Sequence, residues 1–173
     1  AITASDEKVY DRTPLTNPGC SITGLVGADE ETVMINTTGT QTTVGSSANT
    51  YSLIWNGVNK DNYDVSENLG TLTVKAVTDK VTVTITENSN SEKYDGTEKA
   101  AVCYTVEIDN DLYTVDDFTF SGDATVKGTD AGSYDMELKA SDFENISDNF
   151  ENVEFVIVDG TLEISKREVT LNS

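Results

Sequence analysis

The hexapeptide Val81-Thr-Val-Thr-Ile-Thr86 alternates apolar β-branched residues with threonines. Successive side chains of a strand point to opposite faces of its sheet, so this pattern predicts a strand with one buried face. The run Thr71-Leu-Thr-Val74 has the same alternation, and β-branched residues favour strands over helices. Clusters of Gly, Asn, Asp and Ser separate such runs and are typical of turns. The chain is therefore predicted to be all-β.

Composition excludes several classes of function. The chain has 173 residues, contains no His and carries a formal net charge of −20. Without His, imidazole-dependent catalytic triads and ordinary His-containing zinc or haem sites are excluded. The acidic charge disfavours nucleic acid and anionic lipid as partners, and no apolar run reaches the ~18 residues of a transmembrane helix. We expect no cofactor, no metal site and no membrane insertion by this segment.

The sequence repeats itself once, which indicates two tandem units. Four landmarks return in the same order and at a nearly constant spacing. They are Tyr10-Asp-Arg-Thr13 with Tyr94-Asp-Gly-Thr97, Gly45 to Tyr51 with Gly128 to Tyr134, Asn62-Tyr63 with Asn149-Phe150, and Gly70-Thr-Leu-Thr-Val74 with Gly160-Thr-Leu-Glu-Ile164. We predict a first repeat over residues 1–76, a second over 77–165, and the start of a third repeat, or a linker, over 166–173.

The order of these landmarks resembles the YDG/MBG-type tandem repeats of bacterial cell-surface, adhesin-like proteins. The resemblance covers nearly the whole chain and is carried by glycines and aromatic residues, not by a catalytic signature. In the first copy Arg12 replaces the glycine of the Tyr-Asp-Gly-Thr turn, and Asn49 replaces the second loop glycine. The resemblance implies an exported parent on the bacterial cell surface or in the cell wall, with neighbouring repeats as partners. It implies no enzymatic activity.

The fold of each repeat is predicted from its size and its turns. Several short strands in a unit of this size favour a small Ig-like β-sandwich or a β-grasp-like sheet, with at most one short helix in each unit. Residues 140–149 are the best candidate for that helix, or for a helical turn, in the second unit. The run Val153-Glu-Phe-Val-Ile-Val158 carries apolar residues on both faces and is predicted to be a central strand.

Several recurring residues are predicted to serve the fold and not a ligand. Asp-Gly is a strong signal for a tight turn, because glycine accepts a positive φ. The tyrosines beside these turns are expected in the core. The residues that we assign to structural roles are Tyr10, Asp11, Tyr51, Tyr94, Asp95, Gly96 and Tyr134.

Two places offer apolar side chains that are expected to be exposed. Comparison of the two copies places Ile54 at an outward position where the other copy has Glu137. Leu112 and Tyr113 lie between acidic residues and form the second candidate. Exposed apolar side chains of this kind can anchor a partner.

Two functions are compatible with the sequence. The first is a non-catalytic stalk or adhesin module within a bacterial surface protein. The alternative is a module that binds a host ligand, either a secreted host protein such as an immunoglobulin or a mucin glycan, through an exposed strand edge or Ile54. In both cases we expect an extracellular module that is not an enzyme.

Overall fold

The computed structural model describes residues 1–172. They form two compact units, Ala1–Val77 and the residues from Thr78 onward, which we call the first unit and the second unit. Both consist of short strands and turns, with one four-residue α-helix and three 3₁₀ turns among the described residues. The predicted all-β class, with small open sheets, is confirmed.

The first unit contains seven strands and one α-helix. They are β1 (Ile2–Thr3), β2 (Asp6–Val9), β3 (Cys20–Ser21), α1 (Asp29–Thr32), β4 (Met34–Thr37), β5 (Gly45–Ala48), β6 (Tyr51–Ile54) and β7 (Thr71–Lys75), with a 3₁₀ turn at Lys60–Asn62. β7 is the centre of a three-stranded sheet, with β2 parallel on one side and β5 antiparallel on the other. β1 pairs with β3 and β4 pairs with β6, both antiparallel.

The second unit contains ten strands. They are β8 (Val81–Glu87), β9 (Asn90–Lys93), β10 (Lys99–Val102), β11 (Tyr104–Ile108), β12 (Phe118–Phe120), β13 (Thr125–Gly128), β14 (Gly132–Asp135), β15 (Phe143–Asn145), β16 (Val153–Val158) and β17 (Thr161–Ser165), with 3₁₀ turns at Val115–Asp117 and Ala140–Asp142. β17 lies between parallel β9 and antiparallel β14, and β8 lies between antiparallel β11 and parallel β16. β10 pairs with β13, and β12 with β15.

The strand predicted at residues 81–86 is the central strand of its sheet. Val81, Val83 and Ile85 of β8 are fully buried, while the threonines between them are partly exposed. The central position predicted for residues 153–158 is wrong. Among the described strands β16 pairs only with β8, and Val156 and Val158 are 38% and 44% exposed. One neighbour instead of two leaves β16 at the sheet edge.

The three-stranded sheet around β7 in the first unit corresponds to the sheet around β17 in the second. Leu72 of β7 lies opposite Ser47 of β5, and Leu162 of β17 lies opposite Tyr134 of β14. Both leucines are fully buried. The recurring Gly-Thr-Leu sequence thus marks the same position in both units, and it fixes the correspondence between their strands.

The predicted correspondence between Tyr51 and Tyr134 is wrong. The register of the sheets equates Tyr134 with Ser47, which lies in β5, whereas Tyr51 begins β6. The two glycines that suggested the match lie at different positions in the fold, because Gly128 ends β13 and Gly45 begins β5. Sequence identity therefore aligned residues 45–51 with residues 128–134, whereas strand pairing places these two segments at different positions in the fold.

Gly70 and Gly160 stand where another part of the backbone is close. A Cβ added to Gly160 would lie 2.5 Å from the carbonyl oxygen of Glu87, and one added to Gly70 would meet the carbonyl group of Ala4. Neither position has room for a side chain. This steric limit accounts for the glycine that precedes β7 and β17.

The two units have different cores. In the first unit Leu15, Leu72 and Val74 are buried together, with Tyr10 and Val44 packed against them. The second unit adds an aromatic cluster in which neighbouring ring centroids lie 4.8–6.3 Å apart. The cluster consists of Tyr104, Tyr113, Phe118, Phe120, Phe143, Phe150 and Phe155.

Two further predictions concern residues 140–149 and residues 166–173. The helical turn expected within residues 140–149 is present as the 3₁₀ turn Ala140–Asp142, and β15 follows it, because buried Phe143 pairs with Phe120 of β12. Residues 166–172 form no strand. The start of a third repeat, or a linker, over 166–173 stays a prediction, and its last residue lies outside the described residues. A strand needs a neighbour to satisfy its backbone groups. Val169 and Leu171 are accordingly 88% and 99% exposed.

Candidate binding surface

The Tyr-Asp-x-Thr turns have the same hydrogen bonds in both units. Oδ1 of Asp11 accepts hydrogen bonds from the N–H and the hydroxyl of Thr13, at 2.9 and 2.6 Å. Oδ1 of Asp95 accepts the equivalent bonds from Thr97 at 2.9 and 2.6 Å. An Asp that bonds the backbone two residues on stabilises its own turn. The carboxylates are thus engaged within the fold.

A lysine contacts each of these aspartates from a different side. Nζ of Lys8, on β2 before the turn, lies 2.8 Å from Asp11. Nζ of Lys99, on β10 after the turn, lies 2.7 Å from Asp95. The hydrogen bond from Lys8, followed by those from Thr13, lowers the pKa of Asp11 from 3.8 to about 2. The hydrogen bond from Lys99 is the main cause that lowers the pKa of Asp95.

The tyrosines before the turns differ in burial. Tyr10 is partly buried against the cluster that contains Leu15, as predicted, whereas Tyr94 is 39% exposed, so its predicted core position is wrong. Leu15 and Lys99 stand five positions after their respective tyrosines. In the second unit that position holds a lysine directed at Asp95, so it offers Tyr94 no apolar contact.

The middle residue of each turn has a left-handed backbone. The φ angle is 81° at Gly96 and 69° at Arg12. Glycine adopts this region readily, while a residue with a side chain adopts it at a steric cost. The replacement of glycine by arginine in the first unit therefore keeps the turn, and the hydrogen bonds of Asp11 hold it.

An exposed apolar pair lies on the two-stranded sheet of the first unit. Met34 of β4 is directly opposite Ile54 of β6, and the two side chains are 53% and 44% exposed. The outward position predicted for Ile54 is observed. The comparison with Glu137 that suggested it does not hold, because Glu137 follows β14 and has a left-handed φ of 61°. Met34 was missed because only strand register brings it beside Ile54.

The second predicted anchor is not exposed. Tyr113 is only 2% exposed, and its ring packs against Phe118 and Phe150. Its hydroxyl donates a hydrogen bond to Asn145 Oδ1 at 3.0 Å. Burial raises the pKa of Tyr113 to about 12. The predicted surface role of Tyr113 is wrong because distant aromatic residues cover it, and Leu112 beside it is partly buried.

Tyr51 and Tyr134 are both partly buried and contact the protein itself. The hydroxyl of Tyr134 donates to the carbonyl of Asp130 at 3.0 Å, and its ring covers Gly128 so closely that a Cβ there would lie 2.6 Å from the ring. Burial, followed by a hydrogen bond with Glu67, raises the pKa of Tyr51. These contacts agree with the structural roles assigned to both tyrosines.

The first unit also has a groove of about 190 Å³. It is lined by Ala1, Trp55 and residues 22–25 and 63–66, and we call it the first-unit groove. Trp55 stacks on Tyr63 with ring centroids 5.9 Å apart, and the Tyr63 hydroxyl donates to Asp29 Oδ2 at 2.6 Å. That hydrogen bond raises the pKa of Tyr63. Sequence reasoning missed the groove because separate segments form its walls.

The two units correspond to two matches with known families. Residues 80–166 match the family model of the MBG domain, and residues 1–73 match that of the MBG domain of the YGX type. The chain belongs to the MBG domain family. The predicted resemblance to YDG/MBG-type tandem repeats is thereby confirmed. No curated protein and no solved structure matches the chain at a significant level.

The tandem MBG domains differ in the surfaces that they offer. The first carries the Met34–Ile54 pair and the first-unit groove, and the second has the aromatic core that covers Tyr113. Within residues 1–172 no group of three or more acidic or cysteine side chains is placed to hold a metal ion. None of the helices in this part of the chain has the length and apolar character of a membrane span.

Proposed function

We propose that this chain is a repeat segment of a bacterial surface protein and acts there as a non-catalytic stalk or adhesin-like module. The observation that carries the proposal is the tandem of MBG domains in one chain. Repeats of one fold extend a chain without requiring a separate chemistry from each unit. The module is therefore extracellular, on the cell surface or in the cell wall, with neighbouring repeats as its first partners.

The charge of the chain supports this role. A net charge of −20 keeps acidic modules apart and soluble at high local density. The absence of His from the sequence supports a non-catalytic role, since it removes the commonest general base. The acidic residues that show the largest pKa shifts, Asp11 and Asp95, are engaged in turns and in lysine contacts. Their pKa values are therefore explained by the fold.

Surface location is tested on the source cells. An antibody raised against the chain is applied to intact cells and to the same cells after lysis, with a cytosolic protein as control. Labelling of intact cells, removed by brief protease treatment that leaves the control untouched, is the expected result. Labelling that appears only after lysis would overturn the surface assignment.

A second candidate function is the binding of a host ligand. The exposed Met34–Ile54 pair favours it. Two adjacent apolar side chains on a solvent-facing sheet can anchor a partner, and the sheet does not require them for its own packing. The ligand class that we propose is a secreted host protein such as an immunoglobulin, with a mucin glycan as the alternative. Tandem repeats would then add avidity.

The binding function is tested with immobilised immunoglobulins and mucins at physiological ionic strength. Saturable binding that is lost in Ile54→Glu supports the Met34–Ile54 pair as the site. Val102→Glu is the matched control, because Val102 is a similarly exposed apolar residue, 48%, in the second unit. If both substitutions weakened binding equally, or if neither weakened it, the Met34–Ile54 pair would not be the binding site.

A further inference from the structure

One edge of β16 directs backbone groups away from its sheet. The N–H of Val81 on β8 donates to the carbonyl of Asn152 at 2.8 Å, and this bond sets the phase of the parallel β8–β16 pair. Alternate residues of a strand direct their N–H and C=O groups to opposite edges. Glu154 and every second residue after it therefore bond to β8. The residues whose groups point to the other edge are Val153, Phe155 and Ile157.

The described chain offers these outward groups no strand. Within residues 1–172, β16 pairs only with β8, and the N–H and C=O groups of Val153, Phe155 and Ile157 have no other backbone partner, although the 3₁₀ turn Ala140–Asp142 lies beside β16. Native edge strands are commonly protected by charged side chains, proline or a bulge. β16 contains no proline and one charged residue, Glu154. Its outer edge is therefore open to a further strand.

The two edges of this three-stranded sheet expose different side chains. On β11 the exposed residues are Thr105 and Glu107, which suit a strand that faces water. On β16 they include Val156 and Val158, which are 38% and 44% exposed. Phe155, on the core side of β16, is only partly buried, whereas the core residues of the central strand β8 are fully buried. A strand added beside β16 would cover apolar surface on both faces.

Charge indicates which kind of strand fits this edge. Glu151 stands two residues before β16 and Asp159 directly follows it, and both side chains are exposed. Neither is in an ion pair among residues 1–172, whereas Glu154 is held by Lys80 at 2.6 Å. Residues 140–165 contain no Lys or Arg. A second copy, with its net charge of −20, would bring like charge to this edge, whereas a basic segment complements it.

We propose that the open edge of β16 binds an extended segment of a partner protein that has alternating apolar residues and a basic residue at each end. The segment adds to β16 as an antiparallel strand. Its backbone bonds to the outward groups, its apolar side chains cover Val156 and Val158, and its basic residues face Glu151 and Asp159. Strand addition of this kind combines main-chain hydrogen bonds with side-chain contacts. The site is in the second unit and does not depend on the Met34–Ile54 pair of the first.

A synthetic peptide, Lys-Val-Thr-Val-Thr-Val-Thr-Thr-Lys, is the probe. In the antiparallel register its two lysines face Asp159 and Glu151, and its third, fifth and seventh residues direct their backbone groups at β16. Calorimetric titration into the complete chain at physiological ionic strength is expected to show saturable binding of one peptide. N-methylation of the third, fifth and seventh residues removes the N–H donors and is expected to weaken binding about tenfold or more. N-methylation of the second, fourth and sixth residues is the matched control and is expected to leave the affinity unchanged.

Variants of the chain test the apolar side chains and the charge. Val156→Lys, Val158→Lys is expected to abolish binding, because it removes the apolar contact and repels the basic peptide. The matched control is Val115→Lys, Ile146→Lys, which adds the same charges at apolar residues that are 57% and 56% exposed. This control is expected to keep the affinity of the unchanged chain. A peptide with Glu in place of both lysines is expected to bind several-fold more weakly, and higher ionic strength should reduce this difference.

Amide hydrogen exchange followed by NMR locates the peptide on the unchanged chain. The N–H groups of Val153, Phe155 and Ile157 are expected to exchange quickly in the free chain, because no backbone acceptor protects them. Those of Val156 and Val158 bond to β8 and are expected to exchange slowly. The peptide is expected to slow exchange at the first three positions and to leave the other two unchanged.

Three outcomes would overturn the proposal. The first is a probe that does not bind or that leaves exchange along β16 unchanged. The second is an equal effect of the two patterns of N-methylation, or of the two double variants, since the contact then lies elsewhere. The third is slower exchange at the outward amides as the concentration of the chain alone rises, which would make a second copy the occupant. Ile54→Glu is expected to leave peptide binding unchanged, so failure here is distinguishable from failure of host-ligand binding at the Met34–Ile54 pair.

Discussion

Thr3 and Glu87 hold the same place in the two units and perform the same task. Oγ1 of Thr3 accepts a hydrogen bond from the N–H of Gly70 at 2.9 Å, and Oε2 of Glu87 accepts one from the N–H of Gly160 at 2.8 Å. Both side chains are buried. The two glycines have no room for a side chain, and a polar residue at the end of β1 or β8 satisfies the backbone N–H of each.

Glu87→Ala is expected to destabilise the second unit strongly. Glu87 is 3% exposed and also accepts a hydrogen bond from the N–H of Leu138 at 2.7 Å. Its removal leaves two buried N–H groups without acceptors, each of which costs about 1–3 kcal/mol. Urea unfolding followed by circular dichroism measures the loss in free energy of unfolding. The exposed Glu107→Ala on β11 is the control and should change it by less than about 0.5 kcal/mol. Equal effects of the two substitutions would contradict the role of Glu87.

The Asp11 turn is expected to weaken in acid. The pKa of Asp11 is lowered to about 2 in the folded chain from its ordinary 3.8. Its contribution to stability is therefore complete above the ordinary value, and it is lost as the pH falls from about 4 to about 2. Carboxyl resonances followed through an NMR titration should show the pKa of Asp11 returning toward 3.8 in Lys8→Met. Lys75→Met is the control, because Lys75 contacts Glu7 instead. A pKa of Asp11 that is the same in all three proteins would contradict the assignment.

Tyr113 is expected to act through packing. Tyr113→Ala removes a buried ring between Phe118 and Phe150 and should lower the free energy of unfolding by about 3–5 kcal/mol. Tyr113→Phe loses only the hydroxyl, which donates to Asn145 Oδ1 at 3.0 Å and lies 3.2 Å from the carbonyl oxygen of Asp117, and we expect a loss of about 1 kcal/mol. Urea unfolding followed by near-ultraviolet circular dichroism distinguishes the two. If Tyr113→Ala left stability unchanged, the burial of this ring would contribute nothing to the fold.

Met34 is expected to oxidise well before Met136. The chain has two methionines, and they are 53% and 7% exposed. Oxidation of Met follows its access to solvent, so limited treatment with hydrogen peroxide and peptide mass spectrometry should find the sulfoxide first at Met34. Met136 serves as the internal control in the same sample. A ligand that covers the Met34–Ile54 pair should slow the reaction at Met34 alone. Equal rates at the two positions would show that the pair is not exposed in solution.

Local pattern was enough to predict some elements and not others. β7 and β8 were predicted because alternation of apolar and polar residues depends only on neighbours in the sequence. The edge position of β16 was missed because five apolar residues in six suggested burial on both faces, while the number of strand neighbours is set by the whole sheet. The burial of Tyr113 likewise depends on Phe150, a contact that no local pattern contains.

In the candidate site, too, local sequence predicted one feature, and others depended on residues that are distant in the sequence. The outward direction of Ile54 followed from alternation along β6, but its companion Met34 came only from the register of β4. The first-unit groove could not be predicted at all, because residues that are far apart in the sequence, 22–25 and 63–66, form its walls. The repeated sequence motifs located the two units. The hydrogen-bonded register between distant strands determined which residues of the first unit correspond to which residues of the second.

The opposite placement of Lys8 and Lys99 has a consequence for the exchange of segments between repeats. One lysine precedes its turn and the other follows it, although each pairs with the turn aspartate of its own unit. A recombination event within the turn would join Lys8 to Lys99 in one product, so that two cations face one carboxylate. The reciprocal product would have neither lysine. Recombination between these repeats therefore preserves one lysine for each turn aspartate only where the crossover falls outside residues 8–15 and 92–99.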